Sequence, residues 1–404
     1  MKRMFSSFLL LGLLSGTANA NTSIYGFIEG YVEKVESSPG ISGGTDTTGG
    51  TFTRNENAHE FQTPNVRLMV KNSKKNYSSF LNLNASSGNV ETTNAWFEGK
   101  VASNLFKIRI GKMYRKFGLY NERLDAVPTY IGIEAPELFD TDHLLVTRTT
   151  NLMFHGEKDL GDGTFYYALT TGNDERAGSE IPLGGDLRYT MYGDDIEWTF
   201  GSSFYISGKA TPTQDVGAAS PDGGVVNYMK EDRFEVLGFY TELKRKALIF
   251  QAAYYQADHN AVRDGSKLSG DSFDTASLTQ SQINRLCNGN MDTCTDSEAN
   301  YKIKTWYIRT GYSFFTKMGE FVPYIQWDYY ENPEALANKK NGGDNEAGLA
   351  DDGKFNKQTV GMVYRPDPTI AIKIDASNHS QDINGESVNY AEVRGSFSYM
   401  WTFK

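Results

Sequence analysis

Apolar and polar residues alternate with a period of two along most of the chain after residue 20, the pattern of strands with one apolar and one wet face. In 196–209, Ile196, Trp198, Phe200, Phe204 and Ile206 share one face. Glu197, Thr199, Ser203, Tyr205 and Lys209 share the other. Likewise Phe106, Ile108 and Ile110 oppose Lys107 and Arg109, and Ile370, Ile372 and Ile374 oppose Lys373 and Asp375. At the carboxyl end, Val393, Phe397, Tyr399, Trp401 and Phe403 oppose Arg394, Ser396, Ser398 and Thr402. Such segments lie near 23–35, 61–71, 77–85, 91–101, 105–113, 144–155, 163–171, 187–193, 196–208, 231–243, 247–257, 302–315, 320–330, 357–365, 369–378 and 388–403. Most reach the roughly 9–11 residues that a tilted strand needs to cross a bilayer.

The connections alternate as well. Odd-numbered links are mostly long and polar: 36–60, 114–143, 172–186, 209–230, 258–301 and 331–356, with 86–90 and 379–387 as short members. Even-numbered links are short: 72–76, 102–104, 156–162, 194–195, 244–246, 316–319 and 366–368. A membrane barrel has short turns on one rim and long loops on the other, whereas a secreted sandwich has no reason to sort its loops by parity. The expected fold is therefore all-β, one transmembrane antiparallel β-barrel of sixteen strands over 21–404. Closure leaves no unpaired edge facing lipid. The regions 258–301 and 331–356 read as external loops too polar to build a core of their own.

Composition fits a wall with one greasy and one wet face: 24 Tyr, 24 Phe, 5 Trp and 40 Gly. Acids outnumber bases by 50 to 40, for a net formal charge of -10, which argues against nucleic-acid binding. Residues 1–20, MKRMFSSFLLLGLLSGTANA, have the basic start, apolar centre and Ala18-Asn19-Ala20 ending of a cleaved export signal. No later run is long and apolar enough for a membrane helix. Export and a polar setting favour a local disulfide between Cys287 and Cys294. His59, His143, His155, His259 and His379 form no compact ligand pattern and read as solvated loop or turn residues. The Asp292–Asp296 stretch lacks calcium-loop spacing. No metal, cofactor or enzymatic activity is expected.

Residues 388–403 look like the closing strand of outer-membrane barrels, with Phe403 in the terminal aromatic place and Lys404 after it. In size and layout, residues 21–404 resemble Gram-negative general or substrate-selective porins. Locally, Ile110-Gly111-Lys112-Met113-Tyr114-Arg115-Lys116-Phe117-Gly118-Leu119 resembles the G-K-x-x-x-x-F-G-L stretch of the phosphate-selective porin O/P-like group. The resemblance implies a homotrimer in outer-membrane lipid, a water-filled pore in each barrel and a third external loop folded inward. That loop is 114–143, whose apolar patch is Val127, Tyr130, Ile131, Ile133 and Leu138.

The alternation turns Arg67, Lys107, Arg109, Lys373 and Arg394 to the lumen, since an Arg facing lipid near mid-bilayer costs about 2–4 kcal/mol. Arg115, Lys116 and Arg123 begin the loop, and Asp125 and Glu134 are among its acids, with Glu122, Glu137, Asp140 and Asp142. Basic walls across from an acidic loop would make a transverse field. A cluster of Lys107, Arg109, Lys112, Arg115 and Lys116 would favour phosphate or carboxylate solutes. The expected function is passive diffusion of small hydrophilic solutes or inorganic ions, with an anion preference. The other non-enzymatic reading is a sleeve or adhesion barrel holding a protein partner; an open channel would separate the two.

Overall fold

An antiparallel strand meets the hydrogen-bonding demand of its backbone only through its neighbours, so the question for each expected segment is what flanks it. The protein is described by a computed structural model covering residues 21–35, 44–45, 51–52, 59–61, 65–86, 89–123, 127–139, 143, 145–146, 148–172, 180–208, 228–270, 278, 280–336, 347–383 and 385–403. The expected leader, 1–20, lies outside them. The strands are β1 (Asn21–Val35), β2 (Asn65–Ser73), β3 (Tyr77–Ser86), β4 (Asn89–Ala102), β5 (Phe106–Tyr114), β6 (Thr149–Leu160), β7 (Gly163–Thr171) and β8 (Leu183–Gly193). They continue as β9 (Ile196–Ile206), β10 (Met229–Arg245), β11 (Leu248–Arg263), β12 (Ser297–Tyr312), β13 (Gly319–Glu331), β14 (Lys354–Asp367), β15 (Ile370–Ile383) and β16 (Glu386–Phe403). His59–Phe61 and Phe314–Thr316 are short extra pieces of the same sheet. Each strand pairs antiparallel with the next, and β1 pairs with β16 from Ile24↔Phe403 to Val35↔Glu392. The result is a closed barrel of 16 strands.

The alternation is realised as expected. Phe239, Ile110 and Ile374 are more than half exposed on the outer wall. Tyr240, Tyr205 and Lys373, one residue out of phase with outward neighbours, are buried inside. Several strand boundaries differ from the sequence reading. The sixth strand begins at Thr149, not near 144, because Leu145, Val146 and Arg148 still belong to the returning loop. The strands on either side of 264–296 run further than expected, to Arg263 and from Ser297.

That link is not coreless either. It carries α1 (Gly265–Leu268) and α2 (Gln280–Cys287), and Leu268, Leu286 and Cys287 join Leu336 and Ala347 of the next outer link in one buried cluster. Cys287 and Cys294 are disulfide-bonded. Glu334 ties the outer links together, accepting from Arg263 at the end of β11 at 2.7 Å and from the Tyr228 hydroxyl before β10 at 2.9 Å, with Arg285 of α2 at 3.9 Å. A few apolar side chains, clamped by a charged hub, suffice where composition alone argued against packing.

Inside the wall, glycine and tyrosine form directly paired neighbours: Gly238 with Tyr255, Gly201 with Tyr240, and Gly361 with Tyr324. Each ring lies over its glycine so closely that a Cβ there would overlap it, as strand glycines allow. Replacing Gly238 by Ala is expected to destabilise the folded barrel by about 1–3 kcal/mol. Gly30→Ala, where a Cβ meets nothing within 4 Å, serves as the neutral control in urea unfolding followed by heat-modifiable migration.

Candidate functional site

The long link between β5 and β6 turns into the barrel because of how it leaves β5. Gly111 has φ 124° at an irregularity between Ile110 and Met113, and a Cβ there would overlap the Ala95 carbonyl. Gly118 also sits at positive φ, 62°, against Phe139 and Tyr255. Both glycines of the Gly111–Leu119 stretch are thus explained by backbone geometry.

From there the loop is stitched to one half of the wall. Arg115 is buried at its root, donating to Thr170 and the Thr149 carbonyl and lying 4.6 Å over the Tyr205 ring. The Gly118 amide donates to Ser203 at 2.9 Å, and Arg188 donates to the Gly118 carbonyl at 3.3 Å. Arg123 reaches Glu242 of β10 at 3.0 Å. Lys373 of β15 donates to the Gly132 carbonyl at 2.7 Å, and Asp375 accepts from the Ile133 amide at 3.3 Å. Glu134 pairs with Lys357 of β14 at 3.0 Å and with Arg394 of β16. Glu137 pairs with Lys357 at 2.5 Å, and its amide donates to Asp328 of β13. Beneath these contacts Phe117, Tyr120, Leu138, Phe139, Leu145 and Val146 pack with Tyr255 and Tyr307.

Arg309 of β12 is the central strut. It is 1% exposed and donates to the Tyr120 hydroxyl at 2.7 Å, the Ile131 carbonyl at 2.6 Å, the Glu134 carbonyl at 2.9 Å, and Gln326. Its position between outward Ile308 and Thr310 was readable from the alternation. What could not be read was that two loop carbonyls would end there.

The expected pore residues therefore fall into separate groups. Lys373 and Arg394 touch the loop directly, at the Gly132 carbonyl and at Glu134. Arg67 pairs in register with Phe27, on the lumen side of β2. Lys107 pairs with Glu157 at 3.1 Å and Arg109 with Glu98 at 2.7 Å on the wall that the described loop residues leave uncovered. Lys116 meets Glu122 at 3.1 Å on the loop's inner edge. Asp125, Asp140 and Asp142 lie outside the described residues. The histidine expectation is corrected. His143, His155, His259 and His379 are buried on Glu137, Glu98, Asp232 and Glu392, because lumenal strand phase and the inturned loop bring them to acids distant in sequence.

Hollows lie along the lumen among the described residues. One, about 310 Å³, lies between β1–β5 and the loop edge at Glu122; its lining includes Tyr25, Phe80, Trp96 and Arg109. A second, about 260 Å³, includes Lys116, Arg123, Arg188, Glu197 and Glu242.

No family model matches the chain, and no curated protein does. Solved structures do. An anion-selective porin from Comamonas acidovorans is similar at a TM-score of 0.54 and 10% identity, covering 95% of this chain and 100% of that one. The outer-membrane channel DcaP of Acinetobacter baumannii is similar at 0.53 and 11%, covering 96% and 99%. Salmonella typhi OmpF, in a complex with daunomycin, is similar at 0.53 and 12%, covering 94% and 97%. At such identities the likeness is one of fold. The chain has the barrel architecture of Gram-negative outer-membrane porins and channels at large, not of a phosphate-selective group in particular.

Two outcomes follow from the loop's attachment. Arg309→Ala removes the shared donor of two buried carbonyls, a loss of about 3 kcal/mol or more. Limited proteolysis is expected to cut within 115–148 faster than in the parent, with the barrel still heat-modifiable. Enclosure by itself would push the Glu137 carboxyl up, but Lys357 and His143 outweigh it and hold it well below the usual carboxylate range. Its contribution is complete above the ordinary carboxylate pKa and is lost only as pH falls through the lowered value. The difference in loop proteolysis between the parent and Glu137→Gln should therefore be the same at about pH 5.5 as at about pH 7.

Proposed function

We propose that the protein is an outer-membrane diffusion channel of a Gram-negative bacterium, passing small hydrophilic solutes and inorganic ions with a preference for anions. The observation that carries the preference is an asymmetry within the lumenal ion pairs. Arg123 is 41% exposed against 3% for Glu242, and Arg188 19% against 2% for Asp186. The wall recesses the carboxylate and offers the guanidinium to the passage. A low-dielectric wall focuses that exposed charge on a passing ion. Lys107, Lys116, Lys357, Arg365 and Arg394 work the other way, with Glu157, Glu122, Glu134 and Glu320 as the more exposed partners, so the preference rests on the wide asymmetry of the Arg123 and Arg188 pairs.

Passage of this kind changes no bond in the solute, and no catalytic role is assigned to any residue. Assembly as a homotrimer in outer-membrane lipid belongs to the same reading. Gly30 has open space beyond its Cβ position on β1, a low point on the outer face beside the β1–β16 seam where a neighbouring barrel can approach.

Planar-bilayer recording of the purified protein tests the proposal. Steady open-channel current with a reversal potential favouring chloride over potassium is expected. Arg123→Gln removes an exposed charge worth about 0.3–1 kcal/mol, which should lower the anion-to-cation permeability ratio by roughly two- to fivefold. Parent selectivity for cations, or a parent that carries no current, would refute it.

A further inference from the structure

A water-filled passage is served by polar walls, yet the side that the loop leaves uncovered is partly aromatic. Phe80 and Trp96 stand half-buried on neighbouring strands with ring centroids 5.6 Å apart. Tyr25 borders the same recess, and Asn82 and Asn94 bring amides to its wall. Glu122 faces them from the loop edge. Among the described residues, no loop packs over these rings. On the opposite wall many aromatic residues are buried in the cluster of Phe117, Tyr120 and Phe139, and the second hollow is lined by Tyr166 and Tyr192 beside Arg123 and Arg188, whereas here a phenylalanine and an indole border the lumen.

We propose that this recess is a binding subsite for a neutral sugar ring in transit. The inference rests on the channel reading above and adds a solute class that ion preference does not imply. A pyranose has a face of C–H groups, which suits an aromatic surface, and a rim of hydroxyls, which needs paired donors and acceptors. Both are present. The charges beside the rings are largely neutralised within the protein: Arg109 gives its Nε at 2.9 Å and an Nη at 2.7 Å to Glu98, and Lys116 is paired with Glu122. Arg109 also lies 4.0 Å over the Trp96 ring, which fixes the indole plane. Guanidinium and carboxylate edges not used in these pairs offer hydrogen bonds without a strong net field, which favours a neutral polyhydroxylated ring over an aromatic carboxylate. Lys71 is the remaining cation of the lining.

The test uses the full-length purified protein and two probes, maltose and sodium benzoate. In planar bilayers, maltose is expected to reduce the ion current saturably, and benzoate is not. Trp96→Ala should raise the half-blocking maltose concentration about tenfold, and Trp96→Phe should restore most of the block. Trp306→Phe, on the outer wall against Tyr329, should leave it at the parent value. Tryptophan fluorescence in detergent gives a second readout that needs no current: a saturable change with maltose, absent in Trp96→Ala. A barrel without current but with that change would refute the channel reading and keep the subsite. Block that only scales with bulk viscosity, saturable block by benzoate in place of maltose, or a fluorescence response unaltered by Trp96→Ala would overturn the subsite.

Discussion

Every backbone amide and carbonyl that enters hydrocarbon must find its partner within the protein, and the remaining features follow from that demand. A sheet meets it only when its first strand pairs with its last, as β1 and β16 do over twelve residue pairs. Closure fixes which face of each strand sees lipid and which sees the interior. It also creates an interior too wide for wall side chains to fill alone. The protein fills part of that space with one of its own loops, and what remains is the passage.

Holding a loop inside a barrel needs attachments that outweigh its lost freedom. Here they are mostly charge-assisted hydrogen bonds from buried wall residues to loop backbone: Arg309 and Lys373 donate to carbonyls, while Asp375 and Asp328 accept from amides. Buried charges are costly unless fully partnered, and this network supplies partners by using the otherwise orphaned polar groups of an irregular backbone. The tyrosines over Gly201, Gly238 and Gly361 belong to the same economy. Their rings thicken the wall, and the hydroxyls of Tyr240 and Tyr324 reach Asp186 and Asp375.

Much of the fold was legible because its signal is local. Period-two alternation marked every strand, and the parity of link lengths separated the two rims. Where the sixth strand starts late, tertiary contact is the cause: Leu145, Val146 and Arg148 are claimed by the loop, with Arg148 donating to the Phe139 carbonyl. The lumenal facing of Lys107, Arg109, Lys373 and Arg394 was equally local. Their partners were not. Nothing near Lys373 in sequence indicates Gly132, and nothing near His259 indicates Asp232, because those pairs depend on strand register and on the path of an irregular segment. Arg309 shows the limit plainly. Its side was readable, but its task was not.

The attachments of the inturned loop span long stretches of chain. Gly132 and Lys373 are 241 residues apart, Ile133 and Asp375 are 242 apart, and Glu134 and Lys357 are 223 apart. The segment that narrows the lumen is made early in translation, yet three of the side chains that hold it, Lys357, Lys373 and Arg394, belong to the last three strands. A barrel assembled only as far as β13 has no Lys357, Lys373 or Arg394 to receive it. Full seating of the loop therefore waits on the last three strands, and the narrowing of the lumen is completed only with closure of the wall.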